Sequence, residues 1–212
     1  MIYKDMKSTS VVCKVKIPIV LDNDINKNAL FYGFDHFSDG KEHVAIAFDN
    51  IEGKDNVLVR IHSECLTGDV FNSQCCDCGP QLRESLRILS NYGGILLYLR
   101  QEGRGIGLLN KLKSYELQQQ GMDTYAANNK LGFPDDLRDY QPAAEMLKIL
   151  NINSIRLLTN NPDKVTQIKK YGIKVTEVKN TGCHLNENNV SYLKAKKEHT
   201  YHNITINGLG EM

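Results

Sequence analysis

The stretch NSQCCDCG (72–79) crowds three of the chain's six cysteines, Cys75, Cys76 and Cys78, into four positions. With Cys65 upstream, Cys65, Cys76 and Cys78 read C-x10-C-x-C. Three thiolates hold Zn²⁺ in a tetrahedron and leave one position for water, the arrangement of a catalytic rather than a structural zinc. Water on such an ion loses a proton near neutral pH and becomes a nucleophile. Enzymes that attack a purine or pyrimidine ring carbon use this chemistry with a glutamate moving protons, and Glu64 directly precedes Cys65. A fourth thiolate, from Cys75 or Cys183, would instead close the site and make it structural; the spacing is compatible with both. Cys75 otherwise reads as a bystander, and it cannot pair with the adjacent Cys76 without strain. Cys13, in the β-like run VVCKVKIPIV, is expected as a buried apolar filler.

Other stretches carry groups suited to anions and proton transfer. In RQEGRGIG (100–107) the glycines let backbone N–H groups approach an anion at a helix start, and Arg104 adds a fork for phosphate oxygens. Its glycine spacing is neither the dinucleotide fingerprint nor a P-loop, and a plain strand-to-helix turn explains it equally. In LLTNNPDKV (157–165), Thr159 ends a strand, Pro162 opens a helix, and Lys164 sits in its first turn. A lysine there opposes the helix dipole unless an anion is near; the plain alternative is a solvated lysine. In LGFPDDLRDY (131–140), Asp136 can act as a base and Arg138 can clamp phosphate. The alternative is a surface turn with a solvated ion pair, which contributes about 0–1 kcal/mol. Arg60, His62, Ser63 and Glu64 form a dense polar run leading to Cys65.

These groups need a scaffold. VVCKVKIPIV and HVAIAF read as strands separated by the turn signals DNDINKN and SDGKE, and VLVRIH (57–62) is a strand running straight into the first cysteine. GPQLRESLRILSNYG predicts a helix, with Pro80 in its first turn, Leu82, Leu86 and Leu89 on one face, and Gly93 as its stop. GILLYLR (94–100) is a strand buried on both faces. LLNKLKSYELQQQG (108–121) predicts a helix with Leu108, Leu112 and Tyr115 on its apolar stripe. TYAANNKLGFPDDLRDY reads as a loop and Gln141–Leu150 as a helix; SIRLLTNN is a strand, NPDKVTQIKKYG a helix and IKVTEV a strand. The polar tail from Asn180 is expected to hold one short helix near Ser191–Lys197 and to fray at its end. The fold class is α/β, mixed α+β in character: a β-rich N-terminal portion, then alternating strands and helices around a mixed sheet, in a single domain over residues 1–212.

A formal net charge of +1 gives no reason to expect nucleic acid as a partner, and no apolar run is long enough to span a bilayer. Without a leader-like N-terminus, the chain is expected in the cytoplasm, where thiols stay reduced and clustered cysteines favour metal.

RIHSECLTGD, CDCGPQL, LRQEGRGIGLLNK, the DDLR of LGFPDDLRDY, and LLTNNPDKV together resemble, in the same order, the motifs of GTP cyclohydrolase II, over roughly residues 40–200. The resemblance implies that Cys65, Cys76 and Cys78 hold one zinc. It implies that GTP loses pyrophosphate, that the guanine imidazole ring opens at C8, and that formate leaves. A diaminopyrimidine ribosyl phosphate remains, at the first committed step of riboflavin biosynthesis. It further implies a GTP site lined by Arg60, Ile61, His62, Ser63 and Glu64, with Gln81, Glu102, Gly103, Arg104, Thr124, Thr159 and Lys164. Asp136 would accept a proton, and Tyr115 would assist at the ring. Arg138 stands at the position described as attacking the α-phosphate. A protonated guanidinium is a poor nucleophile, so phosphate stabilisation is the role read here. Mg²⁺ with the triphosphate and a homodimer are also implied. The chain is expected to act without the dihydroxybutanone-phosphate synthase domain often fused to this enzyme, and residues 1–40 carry no function from the resemblance. The alternatives are a relative that stops at the ring-opened formamide or accepts another purine nucleotide, and a non-catalytic zinc- and nucleotide-binding homologue.

Overall fold

The computed structural model describes residues 8–21, 25–190, 192–194 and 196, and these fold around a seven-stranded mixed sheet. Its strands are β1 (Ser10–Leu21), β2 (Ile25–Asp35), β3 (Val44–Ala47), β4 (Val57–Ser63), β5 (Ile95–Leu99), β6 (Ser154–Leu158) and β7 (Lys174–Lys179), in the order β1-β2-β3-β5-β4-β6-β7. The pairs from β1 to β5 are antiparallel. Those joining β5, β4, β6 and β7 are parallel. The helices are α1 (Leu66–Asp69), α2 (Cys78–Tyr92), α3 (Leu108–Gln119), α4 (Thr124–Lys130), α5 (Gln141–Ile149) and α6 (Pro162–Lys170). The expected class, strand-rich at first and α/β thereafter, is what the chain adopts.

Strand β4 explains how the sheet can carry a site. Successive side chains point to opposite faces. Val57, Val59 and Ile61 enter the larger core with Tyr140, Met146 and Leu147. Leu58 enters the smaller core with Leu89 and Leu96, against Leu82 and Leu86 of α2. The next two residues on that second face are Arg60 and His62, both buried. An apolar strand thus turns polar on one face just before it reaches the cysteines. Where β5 begins, Gly94 (φ 150°) runs against β4, and a Cβ there would lie 2.4 Å from the Leu58 carbonyl oxygen.

Four local expectations are corrected. The segment read as a loop begins with helix α4, because Asp123 accepts from the backbone N–H groups of Tyr125 (2.8 Å) and Ala126 (3.0 Å) and caps it. In α3 the buried positions are Lys111 and Ser114, whereas Leu112 is 45% exposed; both buried residues line a cavity behind this helix, where Lys111 finds hydrogen-bond partners in Cys65, Thr67 and Glu102. Strand β2 begins at Ile25, inside the predicted turn DNDINKN, because Leu21 and Ile25 already pair in a long hairpin. Cys13 is exposed, not buried, since β1 is the sheet's outermost strand. In the tail, Val190, Tyr192–Lys194 and Lys196 are helical; the rest of the expected Ser191–Lys197 helix, and the end expected to fray, lie outside the described residues.

Leu147 is wholly buried between α5 and the sheet. Leu147→Ala is therefore expected to cost about 2–5 kcal/mol of stability, measured by denaturant unfolding. A loss below about 1 kcal/mol would mean that this helix does not anchor the core.

Candidate active site

The turn after β4 and the start of α2 bring Cys65, Cys76 and Cys78 together, their sulfurs all within 4.8 Å of one another. Zinc–sulfur bonds of about 2.3 Å at tetrahedral angles require sulfurs about 3.8 Å apart, and the Cys65 and Cys76 Sγ atoms lie 3.6 Å apart. Two glycines allow this approach. A Cβ at Gly68 would meet the Cys76 sulfur at 2.9 Å, and one at Gly79 would meet the Gly68 carbonyl oxygen at 2.2 Å. Cys75 is exposed and Cys183 half-buried, and neither joins the cluster, so among the described residues the donor set is three thiols. Hydrogen bonds from Cys76 and Cys78, aided by Lys111, hold the Cys65 thiol far below its ordinary pKa. Cys76 is pushed up to about 12 by its bond to Cys65, and Cys78 is raised as well. A cation bound by all three would release the remaining protons. The set therefore fits zinc with one position open.

The cysteines line a cavity together with Glu64, the turn Glu102–Arg104, Tyr115 and Thr124. A second cavity shares Ser63, Cys78, Arg104 and Arg138 with the first, and it is lined by cations. Arg60 is buried and donates to Gln81 Oε1 (3.1 Å) and the Leu158 carbonyl (3.2 Å), while its Nε has no partner. Arg104 lies over the Tyr125 ring at 4.3 Å, and both of its terminal nitrogens are buried without acceptors. Its backbone is left-handed (φ 59°), as is that of Gly103 (φ 61°), a strained conformation for arginine. Lys164 is buried and donates to the Ile61 carbonyl at 2.7 Å. Burial, with repulsion from Arg60 and Arg138, pushes its pKa well down. Buried cations that repel one another and hold spare donors are stabilised by an anion.

Arg138 makes a two-pronged ion pair with Asp136, Nε to Oδ1 at 2.9 Å and Nη2 to Oδ2 at 2.5 Å. Burial alone would raise the Asp136 pKa; Arg138 outweighs it and holds the carboxylate below its ordinary value. His62 Nε2 lies 3.0 Å from Asp69, which fixes its proton on that nitrogen and leaves buried Nδ1 without a partner. Burial lowers the His62 pKa in spite of Asp69.

The predicted residues therefore line one or other cavity, with two exceptions. Ile61 packs in the core and offers its carbonyl to Lys164; Asp136 stands behind Arg138. Lys164 is not the solvated lysine of the plain alternative, and the Asp136–Arg138 pair is not a solvated surface turn. Sequence reasoning missed Asp69, Lys111, Tyr192 and Lys196. Lys111 stands one helical turn before Tyr115, so the face that carries Tyr115 inward also carries Lys111, a signal that was available. Tyr192 and Lys196 lie in a polar tail that gives no such signal.

The family model of GTP cyclohydrolase II matches residues 20–180. The chain belongs to the GTP cyclohydrolase II family. Among its relatives is the GTP cyclohydrolase-2 of Vibrio parahaemolyticus, 53% identical over 182 residues, which are 85% of this chain and 92% of that protein. That of Aliivibrio fischeri strain MJ11 is 53% identical over 187 residues, 88% of this chain and 94% of the relative. The riboflavin biosynthesis protein RibBA of Bacillus mycoides is 51% identical over 175 residues, 82% of this chain but 44% of that longer protein.

Gly79→Ala puts a Cβ against the backbone of α1. It is expected to cost about 1–3 kcal/mol and to lower zinc retention in metal analysis after dialysis. Wild-type retention would remove Gly79 from the assembly of the cluster.

Proposed function

We propose that this chain is a zinc-dependent GTP cyclohydrolase II. It opens the imidazole ring of GTP at C8, releases formate and pyrophosphate, and leaves a diaminopyrimidine ribosyl phosphate at the entry to riboflavin biosynthesis. One observation carries the reading: an open three-thiol donor set shares a cleft with buried cations whose donors lack acceptors. A guanine ring at the thiols and a triphosphate at the cations would use both halves at once.

Cys65, Cys76 and Cys78 would hold the zinc, which when bound supplies Lewis acidity and activates water for attack on a ring carbon. The chain's own residues bind and orient the substrate. Arg60, Arg104, Arg138 and Lys164 take the phosphates, with Gln81 and Thr159 beside them; His62, Ser63 and Glu64 lead from the phosphates to the ring. Thr124 and the turn Glu102–Arg104 border the ring, and Tyr115, whose pKa burial pushes up to about 12, stays protonated there as a donor. Burial opposes the charge on Arg138, but Tyr140 and Asp136 hold its pKa above the ordinary value, so it acts as a phosphate clamp and not as a nucleophile. A phosphate that draws Arg138 toward itself weakens its hold on Asp136. The Asp136 carboxylate then regains basicity and can accept a proton. Mg²⁺ accompanies the triphosphate, and the protein works as a homodimer in the cytoplasm, with residues 1–212 as one domain whose catalytic core spans about residues 40–200.

The test is to incubate zinc-loaded protein with GTP and Mg²⁺ and to measure both small products. Formate and pyrophosphate in equal amounts are expected; pyrophosphate alone would mark an enzyme that stops at the formamide, and neither product would overturn the reading. Lys164→Met is expected to raise the KM for GTP about tenfold or more, the worth of a charged hydrogen bond. An unchanged KM would exclude Lys164 from the phosphate site.

A further inference from the structure

We propose that Lys111, held by Glu102, is a positioning residue of the metal centre: it fixes the Cys65 thiolate and offsets its charge. The inference rests on the reading that the three thiols hold a metal, and it adds a function that the cysteine spacing does not carry.

The geometry is specific. Lys111 projects from α3 and is buried, with its Nζ 3.0 Å from Cys65 Sγ, 2.9 Å from Thr67 Oγ1 and 2.8 Å from Glu102 Oε1. An ammonium has three protons to donate, and here three acceptors are in reach. Glu102 is equally committed. Its Oε1 also accepts from the Gly103 backbone N–H at 2.9 Å, and its Oε2 accepts from the Leu66 backbone N–H at 2.6 Å. Glu102 lines the cleft, yet both of its oxygens are engaged by the protein. One carboxylate thereby grips the residue after Cys65 and, through Lys111, the Cys65 sulfur itself.

Charge gives the reason. A divalent ion on three thiolates leaves one negative charge over, and Glu102 adds another. Lys111 cancels one of the two. Without it, a largely buried group would carry both, and uncompensated buried charge is costly. A donor to a ligating sulfur also fixes its orientation, and the loss of such outer partners costs about 10–100-fold in metal affinity.

The experiment measures zinc affinity by chelator competition for wild type, Lys111→Gln and Lys111→Arg, and records the thiolate-to-metal absorption after cobalt substitution. Lys111→Gln is expected to bind zinc about 10–100-fold more weakly with a shifted cobalt spectrum, and Lys111→Arg to recover most of the loss. Wild-type affinity in Lys111→Gln overturns the proposal. A second measurement needs no folded glutamine variant. In protein labelled with isotopic lysine, the Lys111 ammonium, assigned by its loss in Lys111→Arg, is expected to give an exchange-protected signal that moves on zinc loading; a signal indifferent to zinc overturns the proposal. Wild-type protein that takes up no zinc would sink the metal centre itself. A zinc-binding wild type that fails to release formate would sink the proposed reaction and leave this inference standing.

Discussion

One buried carboxylate, Asp69, ties the working end of the sheet together. It accepts from His62 of β4 at 3.0 Å, from the Tyr98 hydroxyl of β5 at 2.8 Å, and from the Cys65 backbone N–H at 3.0 Å. Hydrogen bonds to a charged acceptor contribute about 1.5–3 kcal/mol each, and a partner left without one in the interior costs comparably. The first cysteine is therefore set relative to two strands by an acidic side chain that belongs to neither. The His62 and Tyr98 rings stack beneath it at 5.5 Å, so the loop carrying Cys65 rests on a stiff platform.

Around that anchor the site divides by charge. On one side the Cys65 thiolate and Glu102 place negative charge about the Lys111 ammonium, with the Cys76 and Cys78 thiols beside it. On the other, Arg60, Arg104, Arg138 and Lys164 gather positive charge, only partly answered by Asp136. The first arrangement suits a cation and the second a polyanion. Placed in adjoining cavities, they suit a substrate whose reacting ring and phosphates lie at opposite ends. Burial depresses the pKa of Lys164, and the surplus of cations depresses it further. Such strain is retained where a ligand relieves it.

What the sequence disclosed follows from which signals are local. The apolar runs of β4, β5 and β6 and the cysteine spacing depend on a few neighbouring residues, and they were legible. Helix α4 was not, because TYAANNK has no apolar stripe and its signal is a single capping aspartate. The inward face of α3 was misread for a related reason. Apolar periodicity marks a buried face only where the interior offers no polar partners, and α3 faces a cavity that offers Lys111 three of them, so Lys111 and Ser114 went in while Leu109 and Leu112 stayed out. Cys13 failed for want of topology, since nothing in VVCKVKIPIV tells an edge strand from a central one.

The parallel half of the sheet shows why residues so far apart in sequence can serve one cleft. Strands β4, β5 and β6 run the same way, so their carboxyl ends share an edge. The segments leaving that edge are Ser63–Cys65, Gln101–Arg104 and Thr159–Asn161, and all of them line the paired cavities. Open α/β sheets bind ligands at such edges because the chain must leave the sheet there and can choose its direction. Here the choice differs by strand. After β4 the chain turns into the cysteine loop and after β5 into the left-handed Gly103–Arg104 turn, while after β6 it enters α6, whose first turn holds Lys164. The antiparallel strands β1 to β3 send nothing into the cleft; they extend the sheet beyond β5 and keep that side of the core covered. The division between scaffold and chemistry therefore follows strand direction within one sheet.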